Sequence, residues 1–210
     1  MTKIMNLKKI QFSFIIALAV IFMTIFTTVF SFAWLPSANA QVGGPSESCA
    51  TATSGMYLKL GDIKGESTDD GHKDWINLLS VSHGISRPDS SASGAARRRG
   101  GAQFSDIYLA KELDKSTPKL QEAVASGKVF PSLELELTKR CGEDKVVYLR
   151  YELKNVMVTS YSFAGSDGSV PTEQISLNFE EIKVVYTEYG QDGKKKGNVE
   201  FEWKVEEGRK

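Results

Sequence analysis

Hydrophobic and polar positions follow two different rules along this chain. Residues 10–35 are apolar almost throughout, broken only by Gln11, Ser13, Thr24, Thr27, Thr28 and Ser31. From Met56 onward a period of two takes over, which sends successive side chains to opposite faces of a sheet. Leu133, Leu135 and Leu137 alternate with Glu134, Glu136 and Thr138; Val147, Leu149, Tyr151 and Leu153 alternate with Tyr148, Arg150, Glu152 and Lys154. Cys141-Gly142-Glu143-Asp144 between them has turn composition, so the two runs predict a hairpin. Strand character continues through residues 156–163, but the apolar phase blurs at Lys154-Asn155, which predicts a bulge or bend of the kind that curves a sheet.

Farther on, Ile175, Leu177 and Phe179 hold odd positions and Ile182, Val184 and Tyr186 even ones, so a bulge near Glu180-Glu181 keeps both sets on one side. A glycine-rich and charged turn, residues 189–197, precedes the alternation of Val199, Phe201, Trp203 and Val205. Residues 57–60, 75–85 and 104–113 also read as strands. One helix interrupts them: Thr117 is the expected N-cap, Pro118 the first helical residue, Leu120, Ala123 and Val124 the apolar stripe, and Gly127 the stop. At about ten residues it is too short to stand alone and must pack against the sheet. The fold class is all-β with one short α-helix, two antiparallel sheets packed as a closed or nearly closed β-barrel.

Composition adds the compartment. With 41% hydrophobic and 25% charged residues the chain is ordinary globular protein. Its 26 basic residues balance 26 acidic ones, yet Lys3, Lys8 and Lys9 are the only charges before Ala40. Lysines ahead of an apolar run, then Pro36 and the small residues Ala38 and Ala40, form a secretory signal cleaved after Ala40. The same run is long enough to cross a ~30 Å bilayer as an uncleaved anchor. Both alternatives place the remainder outside the cytoplasm, secreted or held at the outer face of the membrane, and leave residues 10–35, if uncleaved, as the sole membrane contact. The domain plan is 1–40 signal or anchor, 41–55 linker and 56–210 β-domain. Basic residues interleaved with acids exclude a nucleic-acid-binding face.

Cys49 and Cys141 both fall in the exported part, where thiols oxidise. They fit a bridge within the chain, a bridge between subunits, or two free thiols. Catalytic chemistry finds little support. Only His72 and His83 offer imidazole, no Gly-x-Ser-x-Gly is present, and the cluster Asp69, Asp70 and Asp74 lacks the ligand ladder of a calcium loop. His72 reads as part of a polar loop, His83 as a satisfied sheet histidine, and Glu134/Glu136 and Glu180/Glu181 as solvated faces or subunit contacts. No metal or cofactor is expected. Arg97-Arg98-Arg99-Gly100-Gly101 closes a long loop of small residues, and loops of that length are functional or disordered.

Several segments carry a resemblance when taken in order: Tyr57-Leu58-Lys59-Leu60-Gly61-Asp62-Ile63-Lys64-Gly65-Glu66-Ser67, Gly71-His72-Lys73-Asp74-Trp75-Ile76, Val81-Ser82-His83-Gly84-Ile85-Ser86-Arg87-Pro88, Asp114-Lys115-Ser116-Thr117-Pro118-Lys119-Leu120, Ser160-Tyr161-Ser162, and Pro171-Thr172-Glu173-Gln174-Ile175-Ser176-Leu177-Asn178-Phe179. Together they resemble the haemolysin-coregulated protein (Hcp) family, the tube-forming proteins of type VI secretion. The resemblance implies a non-catalytic protein of two packed, barrel-forming sheets that assembles into hexameric rings, stacks into a hollow tube, and holds small effector proteins in its lumen. It also implies that the loop containing Arg97, Arg98, Arg99, Gly100 and Gly101 reaches the adjacent ring. The N-terminal signal departs from the family pattern, since typical members assemble in the cytoplasm. A secreted monomeric binding or carrier domain is the alternative reading.

Overall fold

One long strand with a single break governs the architecture. The computed structural model describes residues 49–87 and 101–205. The strands in chain order are β1 (Cys49–Leu60), β2 (Ile76–Asn77), β3 (Ser80–Ser82), β4 (Ile85–Ser86), β5 (Gln103–Phe104) and β6 (Ile107–Glu112). Helix α1 (Thr117–Ser126) follows, then β7 (Val129–Cys141), β8 (Asp144–Ala164), β9 (Thr172–Asn178), β10 (Glu181–Tyr189) and β11 (Lys195–Lys204). β7 and β8 form the expected hairpin, with Cys141 opposite Asp144 at its tip.

At Asn155 the backbone of β8 turns to a φ of 49°, a left-handed conformation that asparagine tolerates better than most residues. Burial changes phase at this point: Leu153 is buried on the odd side, Val156 and Val158 on the even side. Partner strands change there too. β8 pairs β10 from Leu149 to Lys154 and β9 from Met157 to Ala164, while β7 follows its other edge past the bend. The break between Asn178 and Glu181 lies beside Asn155, whose side-chain amide donates to the Glu180 carboxylate, and Glu180 N–H bonds Lys154 O at 3.1 Å. Ile175, Leu177, Phe179 and Ile182 are all buried, so the irregularity at Glu180 keeps both apolar sets facing inward.

All ladders are antiparallel and run in the order β2-β1-β7-β8-β9-β6-β3, with β10 and β11 branching from β8. A two-stranded ribbon, β4–β5, stands apart. The fold class holds, mostly β with one short helix, but the barrel is not fully closed: β2 and β3 at the two ends of the path lie in one segment, where Leu78 N–H bonds Met56 O and Leu79 N–H bonds Ala110 O, while among the described residues no ladder covers the β11 edge. Because β8 serves two wings, the sheet branches at β8. Aromatic side chains pack beside the branch, with Phe104 stacked 6.4 Å from Trp203 and edge-on to Phe179. The region read as one strand over residues 75–85 is in fact the three short pieces β2, β3 and β4. Residues 49–55, expected to end a linker, form the first half of β1.

Helix α1 packs Leu120 and Ala123 into the core, and Gly127 ends it at a φ of 65°, as glycine at this position readily does. Its start differs from the sequence expectation. Ser116 is the N-cap and Thr117 the first helical residue, because the Thr117 hydroxyl accepts from Asp114 N–H at 3.2 Å and holds the preceding turn. Between β1 and β2, Gly65 is required by space: its N–H bonds Asp74 O at 2.8 Å, and an added Cβ would lie 2.3 Å from Trp75 O.

Under the helix start lies a buried charge network. Lys111 and Glu173 are register partners on β6 and β9 and both are fully buried. The Lys111 ammonium donates to Glu173 Oε2 at 2.5 Å, to Glu112 O at 2.6 Å, and meets Asp114 Oδ1 at 2.8 Å. Tyr161 Oη donates to the other Glu173 oxygen at 2.6 Å, and Asp114 accepts from Ser116 N–H at 2.9 Å. All three ammonium protons are thus used. Removing one partner of such a pair strands a charge in the core, whereas replacing both with apolar groups need not destabilise. Lys111→Ala is expected to lower unfolding free energy by about 3–5 kcal/mol in urea titrations, and Lys111→Met combined with Glu173→Leu to cost clearly less than Lys111→Ala.

Candidate functional site

Register sets the buried face of β1, β7, β8, β10 and β11 as three cross-strand rows. Leu60, Leu133, Leu153, Ile182 and Trp203 form the first; Leu58, Leu135, Tyr151, Val184 and Phe201 the second; Met56, Leu137, Leu149, Tyr186 and Val199 the third. The first row is covered from Leu60 to Ile182, but cover is lost toward β11 and toward the third row. Phe201 is 39% exposed, Tyr186 42% and Val199 70%. The final strand therefore alternates as its sequence predicts, yet its apolar side emerges from the core as a surface patch. The patch continues the core face without interruption, as interaction surfaces do. The outer edge of β11 has no partner strand among the described residues.

At the other end of the strand path, a disulfide joins Cys49, at the start of β1, to Cys141, at the tip of the β7–β8 hairpin. Between Cys49 and Gly55 the ladder to β7 is irregular, and residues Ala50 to Ser54 are exposed. Arg97, Arg98, Arg99 and Gly100 lie outside the described residues, as do the leader expected from sequence and its expected cleavage residues Ala38 and Ala40; Gly101 is exposed.

His72 is a central member of a different kind of cluster. The polar-loop reading does not anticipate that the side chain is buried, with Nδ1 2.6 Å from Asp69 Oδ1 and Nε2 2.7 Å from Glu136 Oε2. Its ring stacks on Tyr57 with centroids 4.0 Å apart, and Trp75 meets it edge-on. Lys145 binds Asp69 and donates to Tyr57 Oη at 2.8 Å, while Arg150 Nε donates to Glu136 Oε1 at 2.5 Å. Both imidazole nitrogens are thereby engaged by carboxylates, so the ring is a strut between the 61–75 segment and β7. Glu136, grouped in sequence with Glu134 as a solvated pair, is buried; Glu134 alone faces solvent, 3.0 Å from Lys59 Nζ. Burial works to raise the Asp69 carboxyl, but hydrogen bonds from Lys145 and His72 outweigh it and hold the group at about 2 against an ordinary 3.8.

His83 departs from its expected role as a satisfied sheet histidine. It follows β3, lies among Phe104, Tyr151 and Phe179, and its Nε2 is buried without a hydrogen-bond partner among the described residues. Desolvation lowers its pKa from 6.5. Beside α1, a cleft of about 380 Å³ over Phe130 is rimmed by Lys64, Lys115, Lys119 and Lys128, each ion-paired to Asp62, Asp74 or Glu122. Among the described residues no group of three or more ligating side chains is placed to hold a metal. The sequence gives no signal that could have singled out the surface patch, since exposed and buried alternation look alike in one chain.

Comparison with known proteins bears on the whole domain. Residues 57–186 match the family described as type VI secretion system effector, Hcp. The chain is 39% identical over 152 residues to the protein Hcp1 of Pseudomonas aeruginosa, covering 71% of this chain and 94% of that one. A solved type six secretion system protein superposes with a TM-score of 0.69 at 32% identity, covering 74% of this chain and 98% of the other. Hcp1 from Salmonella typhimurium superposes with a TM-score of 0.59 at 25% identity, covering 74% and 96%.

The Asp69 carboxyl is held below its unfolded value, so its contribution to stability is present above about pH 3.8 and is lost as pH falls toward about 2. His83 acts in the neighbouring range: the unfolded chain takes up its proton near 6.5 while the folded chain resists it, so stability declines as pH falls below that value. Urea titrations of the His83→Leu variant between pH 7 and 5 are expected to show a flatter pH dependence than the parent, and Asp69→Asn a flatter one below pH 4.

Proposed function

Because the chain belongs to the Hcp family of the type VI secretion system, we propose that it is a non-catalytic assembly protein whose subunits close into hexameric rings. The rings stack into a hollow tube whose lumen carries or protects exported effector proteins. The observation that carries this reading is the patch of Tyr186, Val199 and Phe201, an outward continuation of the core face next to an open strand edge. A monomer gains nothing from leaving such residues in water, whereas a neighbouring copy covers them. The occupied nitrogens of His72 and the paired lysines of the α1 cleft support a role in which geometry, rather than reaction chemistry, is the product of folding.

The leader places assembly outside the cytoplasm, with subunits free after cleavage at Ala40 or tethered through residues 10–35. The loop bearing Arg97, Arg98, Arg99, Gly100 and Gly101 is assigned the contact to the adjacent ring. The patch favours this reading over a secreted monomeric carrier, which would leave the same three side chains uncovered.

Light scattering and negative-stain electron microscopy test the assignment. The parent is expected to form rings, and Val199→Lys combined with Phe201→Lys to raise the concentration for half-assembly by about tenfold or more. Unfolding stability should change by no more than about 0.5 kcal/mol, since both positions are exposed. A parent that stays monomeric at high concentration overturns the ring assignment and supports the carrier domain.

A further inference from the structure

We propose that His83 is a pH-sensitive latch: its neutral imidazole seats the β4–β5 ribbon on the body of the protein, and protonation drives the ring out of its aromatic pocket and releases the ribbon. The inference goes beyond the assembly reading and does not depend on it. The β3–β6 ladder ends at Ser82 opposite Tyr108, and pairing resumes in the ribbon at Ile85 opposite Phe104. In the gap two residues, His83 and Gly84, face three, Ser105, Asp106 and Ile107, which is the count of a bulge. Two bonds cross it, from Ser105 N–H to Gly84 O at 2.9 Å and from Gly84 N–H to Ser105 Oγ at 3.0 Å. Among the described residues the ribbon has no ladder to the main sheet, and Ile85 and Ser86 are exposed.

Side chains therefore hold the ribbon down. Phe104 packs against the core, between Trp203 and Phe179. The His83 ring lies 6.3 Å from Phe104, 6.2 Å from Tyr151 and 5.7 Å from Phe179, so it bridges ribbon and body. Its buried Nε2 meets no hydrogen-bonding group among the described residues. A second proton on the ring adds a charge and makes Nε2 a donor with nothing to accept from it, which such a pocket penalises heavily. Tyr151 is the titratable group among the ring contacts, and burial pushes its hydroxyl above 10.0, so it stays neutral. Asp106 accepts from Thr159 and Asn178, and Glu180, next to Phe179, accepts from Asn155. Arg150 and Glu152 on β8, and Glu202 and Lys204 on β11, alternate with Tyr151 and Trp203 and belong to the opposite face.

Release and proton uptake are thereby linked. The freed ring protonates near its ordinary 6.5, whereas desolvation keeps the seated ring neutral to lower pH. The latch is closed above about pH 6.5 and opens progressively as pH falls below it, by up to about tenfold per pH unit. The step is one proton from water bonding to the free lone pair of the imidazole, with no other bond made or broken. Release separates Phe104 from Trp203 and lets water reach the indole. The strands of the main sheet keep their own ladders, so the opening is local.

Hydrogen exchange of the full-length chain, corrected for intrinsic amide rates, tests the latch in the parent and in His83→Phe and His83→Leu, which fill the pocket and cannot take up the proton. Acrylamide quenching of Trp203, taken as the difference from a Trp203→Phe chain, gives a second signal. From about pH 7.5 to about 5.5 the protection of residues 83–86 and 103–106 in the parent is expected to fall by about fivefold to tenfold, with Trp203 becoming more quenchable. In both His83 variants the change is expected to stay below about twofold, and β7 and β8 to keep their protection throughout. A parent whose ribbon protection is constant over this range overturns the inference, whatever the variants do. Equal loss in parent and variants also overturns it, because the proton then acts elsewhere, as at His72. So does loss that reaches β7 and β8 to the same extent, since the whole fold has then opened.

Discussion

Everything else in the fold follows from β8 having to serve two wings. A straight strand of its length could build only one face, but the left-handed residue at Asn155 flips the buried side from Leu153 to Val156 and Val158. The partner edge changes with it, from β10 to β9, and the connection between those strands breaks at the same level. The two wings consequently share one core while β10 and β11 project as a branch. Because a branched sheet leaves strand ends unpaired, the architecture that stabilises the protomer also creates its open edges.

Charge is used to fix elements that apolar packing alone would leave loosely placed. Lys111, Glu173 and Asp114 tie the start of α1 to the sheet, and the lysine has an acceptor for each of its protons. Asp69, His72 and Glu136 do the same for the 61–75 segment, flanked by Lys145 and Arg150. Buried polar networks of this kind contribute little net stability against an apolar alternative, but they are intolerant of partial disruption. Such groups look like catalytic candidates in a list of residues. Their saturation with protein partners gives them structural roles.

The surface left over is consistent in character. Tyr186, Val199 and Phe201 extend the core face into solvent, and the edge of β1 lacks charge over Cys49–Met56. The proposed association of copies gives these features a common purpose. The disulfide lies at the same end of the sheet, where it fastens the first half of β1 to the hairpin tip.

Period-two alternation determined the strands of the hairpin and the C-terminal ladder, and local chemistry determined the stop of α1 at Gly127, because each depends on neighbours in sequence. The phase breaks at Lys154-Asn155 and Glu180-Glu181 were equally legible, since a change from odd to even apolar positions must reverse a strand's faces. Short motifs in their order carried the family resemblance. What one chain's pattern does not contain is which strand lies beside which. Only the tertiary structure decided that the sheet branches at β8, that Glu136 is buried while Glu134 is not, and that the apolar side of β11 faces water. Those outcomes depend on whether another element covers a face, and coverage is set by contacts between residues far apart in sequence.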